Sequence, residues 1–298
     1  MVIEGCCKKE LVELIKDGIM VDSIVTDPPY QIGFLNNNWD KNEITYDLDV
    51  WRLCLQILKP GGHLLAFGAS RTYHRLACAI EDTGFQVRDQ IMWLYGQGVP
   101  KSLGTTLKPA HEPIVLARKP LSEKTISKNI LKHGTGRLNI DECRVAKRFP
   151  ANVIHDGSDE IEKEFAKYGN RKSGTHKPYF RKSTNSYSGG WPAKSTYCNE
   201  SSEGLASRFF YCAKISPKER GDCKHPTMKP LALMQYLVRL VTPINGIVLD
   251  PFAGSGTTLL SARNEGFQFI GIEKEPEYIQ EIKRRLEDQE QPTPQDAS

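Results

Sequence analysis

Ile247-Val248-Leu249-Asp250-Pro251-Phe252-Ala253-Gly254-Ser255-Gly256 reads as an apolar strand that stops at a proline and opens into a glycine-rich turn. A second segment far upstream has the same grammar: Val21 to Val25 lead into Asp27-Pro28-Pro29-Tyr30. Short continuous apolar runs that end in this way are buried parallel strands delivering groups at their carboxyl ends. Ligands of open α/β sheets sit along that edge. One tip offers a carboxylate, stiff backbone carbonyls and an aromatic ring; the other offers backbone N–H groups.

Outward from these tips, strand and helix patterns alternate. Helical spacing covers Leu11 to Ile19 and Tyr46 to Leu58, the latter stopped by Lys59-Pro60-Gly61-Gly62. A strand over His63 to Phe67, a helix over Tyr73 to Thr83, and strands over Gln86 to Tyr95 and Glu112 to Ala117 complete the first block. This βαβα rhythm predicts a parallel sheet covered on both faces. Downstream, a strand is expected over Ser207 to Ala213 and a helix over Pro230 to Val241, with the proline in its first turn. A helix over Thr257 to Glu265, a strand over Phe267 to Ile272 and a helix over Pro276 to Glu287 follow. No regular element is assigned over 168–204, and the tail from Gln289 reads as disordered.

Composition narrows the class. The chain has 298 residues, long for one compact domain, and 39% are hydrophobic, enough for a sizeable core. No apolar run approaches the roughly 18 residues of a membrane span, and the start Met1-Val2-Ile3-Glu4 lacks the pattern of an export signal. The eight cysteines include no CxxC pair and read as reduced thiols of a cytoplasmic protein. Cys198, Cys212, Cys223 and His225 lack the short paired spacing of a zinc site, so no metal is expected. The net charge of +4 hides an asymmetry: residues 121–224 hold 20 Lys and Arg against 12 Asp and Glu, leaving 20 against 24 elsewhere. A basic middle in a mildly acidic chain is the footprint of a polyanion-binding module.

The chemistry follows from the tips. Gly254 and Gly256 let a strand-to-helix turn approach a ligand closely, and the following helix adds N–H donors. The lysine of a phosphate loop is missing, since Thr257-Thr258 follow. Glu273 lies 23 residues past Asp250 at the end of the next strand, where an acid accepts hydrogen bonds from a ribose diol. An adenosine-bearing cofactor without a phosphate cradle fits, and S-adenosylmethionine fits better than a dinucleotide. At the other tip, the two prolines remove donors and point carbonyls outward. The Asp27 carboxylate and such a carbonyl would accept from one exocyclic NH2, favouring a pyramidal nitrogen whose lone pair attacks an electrophilic methyl. Tyr30 supplies a stacking face worth about 1–3 kcal/mol.

Asp27-Pro28-Pro29-Tyr30, His225-Pro226-Thr227-Met228-Lys229-Pro230 and Asp250 to Thr258 together resemble the motif set of DNA amino-methyltransferases. Their order, catalytic motif first and cofactor motif last, resembles the beta-class permutation of that family, and Gly136 to Asp141 with Arg148 to Gly157 resemble a phage and mobile-element subset. The resemblance implies a Rossmann-like, seven-stranded, mostly parallel sheet. It implies S-adenosylmethionine held by Asp250, Pro251, Phe252, Ala253, Gly254, Ser255, Gly256, Thr257, Thr258 and Glu273, with Thr227 and Lys229. It places Asp27, Pro28, Pro29 and Tyr30 around a flipped base. Such enzymes usually have Asp at the first of these positions for adenine N6 and Ser for cytosine N4, so Asp27 favours adenine. Members commonly carry Gly-Asp before the first helix, where this chain has Gly5-Cys6-Cys7.

The expected organisation is a catalytic half over 1–120, an inserted target-recognition region over 121–215, a cofactor half over 216–288 and a tail over 289–298. Arg171, Lys172, Lys177, Arg181 and Lys182 are the expected phosphate contacts to double-stranded DNA. The resemblance admits a second copy of the chain and a cognate restriction endonuclease as partners, in the cytoplasm of a prokaryotic or phage-infected cell. An RNA or protein-amide methyltransferase and a non-catalytic DNA-binding subunit remain alternatives.

Overall fold

The computed structural model describes residues 1–31, 43–96, 98, 104–173, 202–213 and 228–288. In chain order the elements are β1 (Val2–Glu4), α1 (Cys7–Lys16), β2 (Val21–Thr26), α2 (Leu48–Ile57), β3 (Leu58–Phe67), α3 (Tyr73–Asp82), β4 (Gln86–Leu94) and β5 (His111–Arg118). Then come α4 (Ile126–His133), β6 (Val153–His155), α5 (Asp159–Ala166), β7 (Arg171–Ser173), β8 (Ser202–Gly204) and β9 (Tyr211–Cys212). The chain returns through α6 (Leu231–Val241), β10 (Ile247–Asp250), α7 (Thr257–Asn264), β11 (Gln268–Glu273) and α8 (Pro276–Asp288).

Nine of these strands form one sheet in the order β1-β11-β10-β2-β3-β5-β4-β6-β9. Seven are the strands of the expected methyltransferase-like sheet, and the 121–215 segment adds β6 and β9 beyond β4. Every neighbouring pair is parallel except those made by β5, which runs antiparallel to both β3 and β4. The strand over Glu112 to Ala117 is therefore present but reversed relative to the parallel reading. Its amino end consequently reaches the edge where β2 and β3 end.

Alternation along the central strands feeds two cores. Ile24 of β2 enters the cluster under α1, α2 and α3, while the adjacent Val25 enters the cluster under α6 and α7. On β3, Leu64 and Ala66 face the first cluster, and Leu65 and Phe67 the second. All six residues of β2 are buried, so its polar side chains need partners. Asp22 accepts from the Ile247 N–H at 2.9 Å and from Lys59 Nζ at 2.7 Å, and Ser23 shares a 2.8 Å hydrogen bond with Thr242.

Three local expectations need correction. Lys59-Pro60-Gly61-Gly62 does not separate helix from strand, because α2 ends at Ile57 and β3 starts at Leu58. The four residues bulge out between the pairs Val21–Leu58 and Ser23–His63. At Gly61, φ is 83°, and a Cβ would lie 2.5 Å from Asn129 Nδ2, which bonds the Pro60 carbonyl as α4 docks. Ser207 to Ala213 is not one strand: a 3₁₀ turn over Ala206–Phe209 precedes the two-residue β9. Within 168–204, where no element was expected, β7 and β8 pair antiparallel. Pro230 caps α6 from just outside its first turn.

Candidate active site

β2 and β10 are neighbours in parallel register, Val248 beside Ser23 and Leu249 beside Ile24. Their carboxyl ends therefore emerge side by side, and the two tips share one cavity of about 570 Å³. Asp27, Pro28, Pro29 and Tyr30 line it, as do Asp250, Pro251, Phe252, Ala253, Gly254, Ser255, Thr257, Thr258 and Glu273. Gly256 is absent from the wall. It turns inward at φ 76°, where a Cβ would lie 2.8 Å from Ile282 of α8.

The Asp250 carboxylate is a joint between the tips. Its Oδ1 accepts from the Thr26 hydroxyl at 2.7 Å and from the Phe252 N–H at 3.1 Å. Burial pushes its pKa up to about 6, against the opposing effect of the Thr258 and Thr26 hydroxyls and the Phe252 N–H. Glu273 fastens the glycine turn to the end of β11. Its Oε2 accepts from the Gly254 N–H at 2.7 Å, and its Oε1 from the Lys274 and Glu275 N–H groups, each at 2.9 Å. Burial raises its pKa despite those three bonds. Oε1 already accepts two hydrogen bonds, whereas Oε2 accepts one and keeps a second lone pair, so Glu273 retains one acceptor position.

At the catalytic tip, Lys229 Nζ lies 2.6 Å from Asp27 Oδ2 and 3.3 Å from Glu112 Oε2. The Tyr30 hydroxyl donates to Glu112 Oε2 at 2.7 Å. It also lies close to Asp27, but its single proton is given to Glu112. The Lys229 ammonium sits over the rings of Phe67 and Tyr30, 4.9 and 5.2 Å from their centroids. Burial alone would lower the Lys229 pKa; the carboxylates of Asp27 and Glu112 outweigh it and hold the ammonium above the ordinary lysine value. Burial, then the charges of Asp27 and Glu112, keep the Tyr30 phenol neutral well above its usual range.

Two acceptors at this tip stand open. Asp27 Oδ1 is buried and accepts no hydrogen bond. Among the described residues no donor reaches the Pro28 carbonyl, whereas the Pro29 carbonyl accepts from Thr45. A buried carboxylate oxygen without a donor is costly, and Asp27 is one of the residues that line the cavity.

Comparison with known proteins accounts for this pairing of tips. The family model described as DNA methylase matches residues 21–284. The chain belongs to the DNA methylase family. Its members are amino-methyltransferases. The chain is 27% identical over 296 residues to the Type II methyltransferase M2.LlaDCHI of Lactococcus lactis subsp. cremoris, covering 93% of this chain and 86% of that protein. Among solved structures, the M1.HpyAVI complex with S-adenosylmethionine superposes with a TM-score of 0.56 at 25% identity, covering 96% of this chain and all of that one. The PvuII DNA methyltransferase, described as cytosine-N4-specific, superposes with a TM-score of 0.58 at 18% identity, covering 96% and 85%; at that identity the likeness is one of fold.

Measured against the motif reading, most expected methylase residues meet in the cavity, with two differences. Lys229, expected on the cofactor side, pairs with Asp27. Glu112, which no motif contains, completes the charge cluster. Gly5, Cys6 and Cys7 do line the cavity where relatives commonly carry an acid, and burial pushes the Cys7 thiol up to about 12. Thr227, Lys177, Arg181 and Lys182 lie outside the described residues. Arg171 and Lys172 sit on β7, where Lys172 is 3.5 Å from Glu203. Among the described residues there is no metal-binding cluster, and no helix is long and apolar enough to cross a membrane.

Proposed function

We propose that this chain transfers a methyl group from S-adenosylmethionine to the N6 amino group of an adenine extruded from double-stranded DNA. The observation that carries the reading is a pair of acceptors without donors, Asp27 Oδ1 and the Pro28 carbonyl, on two residues that line the cavity shared with the glycine turn. An exocyclic NH2 has two hydrogens, and two acceptors satisfy both.

The residues present fit the cofactor. Glu273 Oε2 keeps a lone pair for a ribose hydroxyl, the 250–258 turn allows close backbone approach, and no lysine follows its last glycine. S-adenosylmethionine supplies an electrophilic methyl on a sulfonium. Everything else falls to the protein. Asp27 and the Pro28 carbonyl orient the amine so that its lone pair leaves the ring plane. Asp27 Oδ1 holds the hydrogen that must depart as the nitrogen gains a carbon. Tyr30 carries Lys229 on one face, which leaves the other for the base. Asp27 at the first motif position supports adenine rather than cytosine.

Extrusion costs a few kcal/mol, and the basic 163–194 stretch, with eight basic residues and one acid, supplies phosphate contacts to offset it. The test is to incubate the chain with duplex DNA and labelled cofactor, then digest the DNA to nucleosides. N6-methyladenine is the expected product. N4-methylcytosine would overturn the base assignment, and label recovered only in RNA or peptide competitors would overturn the substrate.

A further inference from the structure

The cavity holds a charge cluster whose composition the motif reading does not explain. Asp27, Lys229 and Glu112 come from the end of β2, the approach to α6 and the start of β5, and Lys229 bridges the two acids. The three side chains are mostly buried, at 22%, 8% and 20% exposure. We propose that Lys229 and Glu112 are positioning residues for the transfer step: Lys229 occupies Oδ2 of Asp27, and Glu112 fixes Lys229 and Tyr30, so that Asp27 is left with Oδ1 for the amine. This deepens the proposed function and rests on it.

The geometry places the lysine at the β2 tip: of the three ammonium donors, contacts at 2.6 and 3.3 Å serve Asp27 and Glu112. With Oδ2 paired to Lys229, Oδ1 is the carboxylate oxygen left without a donor. Glu112 accepts from both Lys229 and the Tyr30 hydroxyl through the same oxygen, Oε2. One side chain thus orients both the counter-ion and the stacking ring. The remaining ionisable groups facing this cluster among the described residues are Tyr95, whose phenol burial and Glu112 push up to about 12, and Asp250 behind Asp27. Arg71 and His111 also line the cavity. Lys229 is the cation in contact with both acids.

The proposal predicts pH effects of opposite sign, which loss of packing would not produce. In Lys229→Met, Asp27 and Glu112 face each other without a cation and hold a shared proton to higher pH. The acidic limb of kcat should move up by at least about one pH unit, so that well below the limb the variant loses about tenfold more activity than it does on the alkaline plateau. Glu112→Gln removes a like charge, so its limb should stay or move down while kcat falls at every pH. Combining the two should return part of the shift seen in Lys229→Met alone. Lys229→Arg should keep the wild-type limb, and it carries the test if the methionine variant does not fold. Cofactor affinity, measured by calorimetry, should change less than about threefold in all of them.

A Lys229→Met enzyme with an unshifted limb and a large loss of cofactor affinity would overturn the proposal and return Lys229 to the cofactor. A double variant with the full shift of the single one would also overturn it. Wild-type protein that methylates no DNA would instead sink the functional reading, whatever the variants do.

Discussion

The Thr26 hydroxyl donates to the Asp250 carboxylate at 2.7 Å, across 224 residues of sequence. Thr26 is the last residue of β2 and Asp250 the last of β10, so this one bond joins the strand that ends in the catalytic tip to the strand that ends in the cofactor turn. Thr26→Val keeps the shape and removes the donor. It should cost about 1–3 kcal/mol of stability, because a buried carboxylate oxygen loses a partner. Denaturant unfolding at neutral pH measures it.

Asp250 also sets a pH dependence. Its folded pKa is about 6, above the ordinary 3.8 that it regains on unfolding. The folded state therefore holds a proton that the unfolded state has already released between these values, and stability falls as pH rises through that window. The shift corresponds to at most about 3 kcal/mol, absent below pH 3.8 and complete above pH 6. Asp250→Asn, which keeps an acceptor for Thr26 and Phe252, should flatten that part of the profile. Thermal unfolding of both proteins across the window provides the check.

Glu273 presents a different balance, since its acceptors already serve three backbone N–H groups of the turn and of the segment after β11. Glu273→Gln would set an NH2 against at least one of those donors and remove the charge. Cofactor affinity should fall by about ten- to a hundredfold, the range for a charge-assisted hydrogen bond. Calorimetric titration with S-adenosylmethionine reads this out, and an unchanged affinity would remove Glu273 from the cofactor site.

Gly256 is required twice over, by its positive φ and by Ile282. Gly256→Ala should destabilise by about 1–3 kcal/mol, with part of the loss recovered in Gly256→Ala/Ile282→Ala as the 2.8 Å clash is relieved. The φ cost would persist in the double variant. Unfolding midpoints of the four proteins in this cycle separate the two causes.

What could be read ahead of the structure follows a physical divide. β2, β10 and β11 are buried on both faces, so their apolar runs and their ends were plain, and both tips followed from them. The direction of β5 was hidden because an antiparallel insertion between β3 and β4 depends on distant pairing and not on local pattern. Glu112 went unnoticed for the same reason: at the start of a parallel strand it would lie at the opposite edge of the sheet. Lys229 was legible as part of a motif, but its partner depends on where α6 begins in space. In the 121–215 segment the usual signal is weak. α5 buries no residue, and the one buried side chain of α4 is Asn129, whose amide bonds the Pro60 and Thr135 carbonyls. Both helices span only eight residues and bury no apolar side chain fully, so each offers little pattern to read.

The most direct test of the joined site is a single-turnover assay of Asp27→Ala with cofactor and duplex DNA both bound at saturation. The account predicts cofactor and DNA affinities close to wild type and a methyl-transfer rate lower by at least about a hundredfold, the scale of losing one preorganised hydrogen-bonding group at a reacting centre. Transfer at the wild-type rate in that variant would contradict it.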